Sequence, residues 1–150
     1  MNLKRILIAA DASENARRAV SYVGDIIGPR EGFEIEVLYV IRYPERDLFP
    51  DEASWERKKD EEAQKADRVL GELADLLKEK GIPPSFITTR AREASGFSIA
   101  QAILDHQKKE DFGTIVVGRR GVSKAEEFLF GSVSNKIVHY AKDCAVWIIE

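Results

Sequence analysis

Apolar side chains recur along this chain with two alternating rhythms. Leu3 to Ala10 reads Leu-Lys-Arg-Ile-Leu-Ile-Ala-Ala, the near-continuous apolar run of a strand covered on both faces. Ala16, Ala19, Val20, Val23, Ile26 and Ile27 then keep helical spacing. This predicts a helix with Ser13 as its cap and Gly28-Pro29 as its stop. Phe33 to Ile41 is a second predicted strand, rich in Ile, Val, Tyr and Phe. From Asp51 to Lys80 the rhythm is helical again, with Ala66, Val69, Leu70, Leu73, Leu76 and Leu77 on one face and charges on the rest. Gly81 and Pro83 end that helix.

The remainder continues the alternation. Phe86 to Thr89 predicts a short third strand; Ile99, Ala102, Ile103 and His106 mark one side of the helix that follows Gly96. Thr114 to Val117 is the fourth strand, a helix runs from Ser132 to Ala141, and Ala145 to Ile149 is the fifth strand. Strand and helix in strict alternation with right-handed crossovers give an open five-stranded parallel sheet with helices on both faces, an α/β fold. Ligands of such sheets sit beyond the carboxyl ends of the strands, where the strand order reverses. No repeat or linker divides the chain, so residues 1–150 are expected to form one domain. Arg42 to Ser54, with Pro44 and Pro50, is expected to be a mobile loop.

Composition narrows the function. A chain of 150 residues buries roughly 68–70% of its unfolded surface, enough for a core without disulfides or a structural metal. The 26 acidic and 23 basic side chains give a net charge of -3, which argues against a dedicated nucleic-acid binder. The one cysteine excludes an internal disulfide and zinc sites built mainly on cysteine. The N-terminal apolar run is interrupted at Asp11 and reads as a strand, not a leader peptide. No run approaches the ~20 apolar residues of a membrane span. A cytoplasmic protein is expected.

The most informative segment begins at the fourth strand. Gly118-Arg119-Arg120-Gly121 follows it directly, and after nine further residues Gly131-Ser132 opens a predicted helix. Glycine admits close backbone approach and positive φ, and a helix N-terminus presents free N–H groups with partial positive charge. Together they form a phosphate cradle, to which Ser132 adds a hydroxyl and Arg119 and Arg120 add charge. Singly, each glycine is better explained as a turn; the combination, after a buried strand and before a helix, is the context a cradle needs. Asp11, at the carboxyl end of the first strand, serves equally well as a ligand group or as a cap. Val40, by itself, reads as core.

Asp11-Ala12-Ser13-Glu14, Val40, and the Gly118-x2-Gly121-x9-Gly131-Ser132 pattern resemble the universal stress protein family over essentially the whole chain. The resemblance implies a flavodoxin-like domain, of the adenine nucleotide alpha hydrolase-like kind, that binds ATP or AMP and dimerises through its final strand. It assigns Asp11 and Val40 to the adenine, and Gly118, Gly121, Gly131 and Ser132 to the ribose and phosphates, with Val133 beside them and Arg120 supplying charge. Magnesium or manganese would ride on the phosphates. The sequence departs from the family at Ala145, where a proline often follows the cysteine, and at Phe97-Ser98, where a Gly-x-Pro element often begins the third helix.

Other chemistry finds less support. No Walker Gly-Lys-Ser/Thr is present, and no Gly-x-Gly-x-x-Gly follows the first strand. His106 and His139 lie in separate predicted helices without a carboxylate at metal-ligand spacing and are expected to be structural. Cys144 starts a predicted buried strand and is expected to be inert. A cradle without an evident base leads to a nucleotide-binding, homodimeric regulatory module that responds to stress. The alternative is a slow ATP hydrolase or an autophosphorylating phosphotransferase using Ser132; a third is a module with the fold and no ligand.

Overall fold

The computed structural model describes residues 1–28, 30–94, 98–119 and 132–150. In chain order the elements are β1 (Asn2–Ala10), α1 (Glu14–Ile27), β2 (Glu34–Ile41), α2 (Glu52–Glu79), β3 (Ile87–Glu93), α3 (Ile99–Lys109), β4 (Phe112–Gly118), α4 (Ser132–Tyr140) and β5 (Ala145–Ile149). The five strands form one sheet in the order β3-β2-β1-β4-β5, and every neighbouring pair is parallel. The open α/β sheet read from the alternation of elements is therefore the architecture observed.

Strand alternation divides the core. Ile35, Val37, Tyr39 and Ile41 of β2 belong to the layer with Ala19, Val20 and Val23 of α1 and Leu70, Leu73 and Leu77 of α2. Leu38 and Val40 turn to the opposite layer with Ile103 and Leu104 of α3 and Ile137 of α4. Leu7 and Ile8 of β1 are fully buried on either face, as expected for a central strand of a sheet covered on both sides. Glu36, with the same parity as Leu38, is carried to the α3 side and is buried.

Three details differ from the local reading. β3 continues four residues past Thr89 to Glu93, with Val40 opposite Arg92 and Ile41 opposite Glu93. Its side chains are mostly exposed, so backbone pairing holds this edge and no apolar rhythm marks it. Ser13 occupies the cap position of α1 without a side-chain cap bond; its own N–H donates to Asp11 Oδ1 at 2.8 Å, an Asx turn. Gly28 closes α1 in ordinary right-handed conformation. Its reason for being glycine is contact, since a Cβ there would stand 2.3 Å from the carbonyl oxygen of Lys80.

The segment after β2 holds a short 3-10 turn at Arg46–Leu48, and the Trp55 indole N–H donates to the Pro44 carbonyl at 2.9 Å. Asp51 caps α2 by accepting from the Ser54 N–H at 2.6 Å. Among the described residues no helix is long and apolar enough to cross a membrane.

Candidate functional site: a crevice at the strand-order reversal

The chain leaves β1 toward β2 on one side and returns to β4 on the other. The connections after these strands diverge there and leave a gap beyond the strand ends. A crevice of about 330 Å³ occupies this point, within the range of roughly 300–1,000 Å³ of small-molecule sites. Its floor is Ala9 and Ala10 of β1, Asp11 just after it, and Val117 and Gly118 of β4. One wall carries Val40 and Arg42 from the end of β2; another carries Ser98, Ile99, Ala100 and Ile103 from the start of α3. Val133, Ser134 and Lys136 of α4 complete the described lining, with Ala16 of α1 and its cap residue Ser13.

The location follows from the sheet. Parallel strands deliver their carboxyl ends to one edge, so each following helix begins at that edge. The first turns of α1, α3 and α4 therefore all border the crevice, and their N-termini add partial positive charge. Arg42 and Lys136 add two full charges, and Asp11 is the carboxylate among the described lining residues. The Asp11 side chain is oriented by its bond from the Ser13 N–H. Apolar Val40, Ile99, Ile103 and Val117 face this polar set, giving a surface suited to a flat apolar ring with an anionic tail.

Four residues singled out in the sequence, Asp11, Val40, Gly118 and Val133, come together in this crevice. Ser132 opens α4 one residue before Val133. Arg120, Gly121 and Gly131 lie outside the described residues. Arg119 is turned elsewhere: its backbone N–H donates to the Ile149 carbonyl at 2.7 Å, and its guanidinium pairs with Glu150 at 2.6 Å. Gly118 has two reasons to lack a side chain. It lines the crevice, and a Cβ on it would lie 2.6 Å from the Asn15 carbonyl oxygen of α1. The turn reading of this glycine thus gives way to a close approach of helix and strand.

Local sequence reasoning missed Arg42, Lys136, Ser134 and the α3 residues. Two signals were present: Arg42 shares the strand parity of Val40, and Lys136 stands three positions after Val133, on the same helical face. The α3 wall had no such signal, because only the tertiary fold brings it to β2. Ser98 serves there as a cap, accepting from the Gln101 N–H at 3.1 Å.

A second polar constellation lies on the α3 side of the sheet. His106 is fully buried; its Nε2 is 2.5 Å from Glu36 Oε1 and its Nδ1 is 3.1 Å from Arg92 Nη1. Arg90 Nε stands 3.3 Å from the same Glu36 oxygen. Burial works to raise the Glu36 pKa, but the hydrogen bond with His106 and the nearby charges, Arg90 among them, outweigh it and hold the carboxyl below its ordinary value. The histidine that lacked a carboxylate in the sequence has one in space, seventy residues away. Cys144 is half-buried beside an edge strand, where burial and the Asp143 charge push its thiol pKa up, against a nucleophilic role.

The chain belongs to the universal stress protein family, whose family model matches residues 2–150. It is 27% identical over 160 residues to universal stress protein YxiE of Bacillus subtilis, covering 97% of this chain and 98% of that relative. The solved universal stress protein UspA of Lactobacillus plantarum has the same fold at a TM-score of 0.78, with 20% identity and coverage of 100% and 99% of the two chains. A universal stress protein of Archaeoglobus fulgidus in complex with dAMP superposes at a TM-score of 0.69, with 20% identity over 100% of both chains.

Proposed function

We propose that this universal stress protein binds an adenine nucleotide, ATP or AMP, in the crevice between β1 and β4 and acts as a homodimeric, nucleotide-dependent regulatory module. The observation that carries the reading is the convergence of Asp11, Val40, Gly118 and Val133, far apart in sequence, on one crevice. The dAMP held by a relative of the same fold supports it. In this reading Asp11 and Val40 flank the base. Gly118, Val133 and the first amides of α4 take the ribose and phosphates, and Lys136 supplies charge. Arg120, Gly121, Gly131 and Ser132 join them on the sequence pattern alone. A divalent cation, magnesium or manganese, accompanies the phosphates when it is bound. Regulation then follows from occupancy, which changes how the walls pack.

The dimer rests on β5. It is an edge strand, it carries no charge from Ala145 to Ile149, and Tyr22 packs edge-on against Trp147 with ring centroids 6.4 Å apart. Tyr22 on the α1 side and Ile148 on β5 itself remain exposed. An apolar edge of this kind is covered in a stable protein, and a second copy covers it across a two-fold axis.

Titration calorimetry with ATP, AMP and GTP, with and without magnesium, tests the ligand, using Val133→Glu as the control. Val133 also packs on the α3-side core, so urea unfolding of the variant is measured alongside; a glutamate on the first turn suits the helix dipole, and its charge opposes phosphate in the crevice. Adenine-selective binding that weakens about tenfold or more in the variant is expected, the size of one unfavourable charge contact. No adenine nucleotide binding by the wild type at millimolar concentration would remove the proposal.

A further inference from the structure

We infer that His106 is a positioning residue for the crevice: its contacts with Glu36 and Arg92 hold the α3 wall in place and release it on acidification. The inference deepens the nucleotide-binding reading above and rests on it. Glu36 and Val40 share one face of β2, and Ile99, Ile103 and His106 share one face of α3 by their spacing of four and three. The same β2–α3 contact therefore has a polar pin at one end and crevice lining, Val40 with Ile99 and Ile103, at the other. Leu38 and Leu104 lie in the apolar layer between them. Apolar packing by itself is non-directional, whereas a buried hydrogen bond fixes how α3 is turned and how far it slides.

The protonation state follows from the donors. A guanidinium only donates, so the 3.1 Å contact between Arg92 Nη1 and His106 Nδ1 is a hydrogen bond only when Nδ1 carries no proton. Nε2 then carries the proton and donates to Glu36 Oε1. In that arrangement both imidazole nitrogens are engaged. A second proton must go to Nδ1, where it faces Arg92 and ends that bond. Among the described residues, the charged groups meeting the imidazole or its partners are Glu36 from β2 and Arg90 and Arg92 from β3. From β4 comes the Phe112 ring, 5.8 Å from the imidazole centre, on which Arg5 of β1 stacks at 4.4 Å. Two of these cations stand beside the pair already, so the added positive charge has one carboxylate to meet it. Arg92, half-buried on an edge strand, is free to turn to solvent, and the hold on α3 loosens.

The test uses AMP as the probe and three proteins: wild type, His106→Gln and Arg92→Ala. A glutamine at position 106 offers an N–H to Glu36 and an oxygen to Arg92 and never takes a charge. Alanine at position 92 removes the bond that protonation breaks. Calorimetry at pH 7.5 and pH 5.8 is paired with hydrogen-exchange protection of amides 102–107 in the ligand-free proteins. On going to the lower pH the wild type is expected to lose about fivefold more AMP affinity than His106→Gln does, a modest coupling between sites, and to lose protection in α3. His106→Gln is expected to bind at pH 7.5 within about twofold of wild type, to keep its protection on acidification, and to lose only the affinity that protonation of the AMP phosphate itself costs, its second pKa being about 6. Arg92→Ala is expected to have a flattened pH response.

Should His106→Gln follow the wild-type profile, another group titrates and the inference falls. It falls equally if acid changes neither affinity nor protection in the wild type. Absence of AMP binding by the wild type at both pH values defeats the nucleotide reading. The protection data then decide the hold on α3 separately: acid-induced loss in the wild type that is missing in His106→Gln sustains it, and any other pattern overturns it.

Discussion

β3 and β5 close the same parallel sheet at its two margins, yet β3 presents Thr88, Thr89, Arg90, Arg92 and Glu93, while β5 presents Val146, Trp147, Ile148 and Ile149. Among the described residues, both leave one row of backbone groups without a strand partner. At β3 the charges keep the edge in water and deter another strand. Two of its arginines also reach inward, Arg90 to Glu36 and Arg92 to His106, so this edge is tied to a buried polar pair in the core. β5 itself carries no charge that would deter pairing, and Ile148 is 43% exposed. One edge is finished by its own side chains; the other is apolar, and on it the proposed dimer rests.

Breaking the β3 side is expected to have the largest effect. Glu36→Ala removes the carboxylate on which His106 and Arg90 converge. Leaving the buried His106 N–H without its acceptor costs up to about 3 kcal/mol, to be read as a lower urea midpoint. The pH dependence has a definite sign. The folded-state pKa of Glu36 is lowered, so its stabilisation is fully present above the ordinary carboxylate value of 4.5 and is lost as pH falls through the lower folded value. Glu36→Gln is expected to lack that acid-side loss, although it is less stable at neutral pH. An unchanged acid limb would show that the cluster does not govern stability there.

The β5 side is tested by Ile148→Lys, which gives this edge the charge β3 already has. A lysine in each copy across a two-fold axis is expected to raise the dimer dissociation constant about a hundredfold, as like charges in an interface do, with monomer stability nearly unchanged. Sedimentation equilibrium reads the first and urea unfolding the second. A wild-type monomer at micromolar concentration would erase the contrast between the edges. The smallest effect is expected from Arg90→Ala. The arginine is half exposed against a buried Glu36, and removing such a partner costs roughly 0.5–1 kcal/mol, visible as a small shift in the same urea midpoint. A loss as large as that of Glu36→Ala would mean that Arg90, rather than His106, is the main partner of the carboxylate.

The sequence by itself determined the class of fold, because the switch between apolar runs and helical spacing is local information. It also placed Asp11 and Gly118 at strand ends, where a parallel sheet collects its ligands. It marked Val133 by resemblance, next to the start of α4. β3 was legible for only part of its length, since an edge strand held by backbone bonds needs no apolar rhythm. The strand order, and with it the position of β5 at a margin, was decided by the tertiary structure. So was the α3 wall of the crevice, and so was the meeting of Glu36 with His106. Each of these depends on which distant segments lie side by side. Spacing along a chain reports which face a residue occupies and carries no record of what that face will meet.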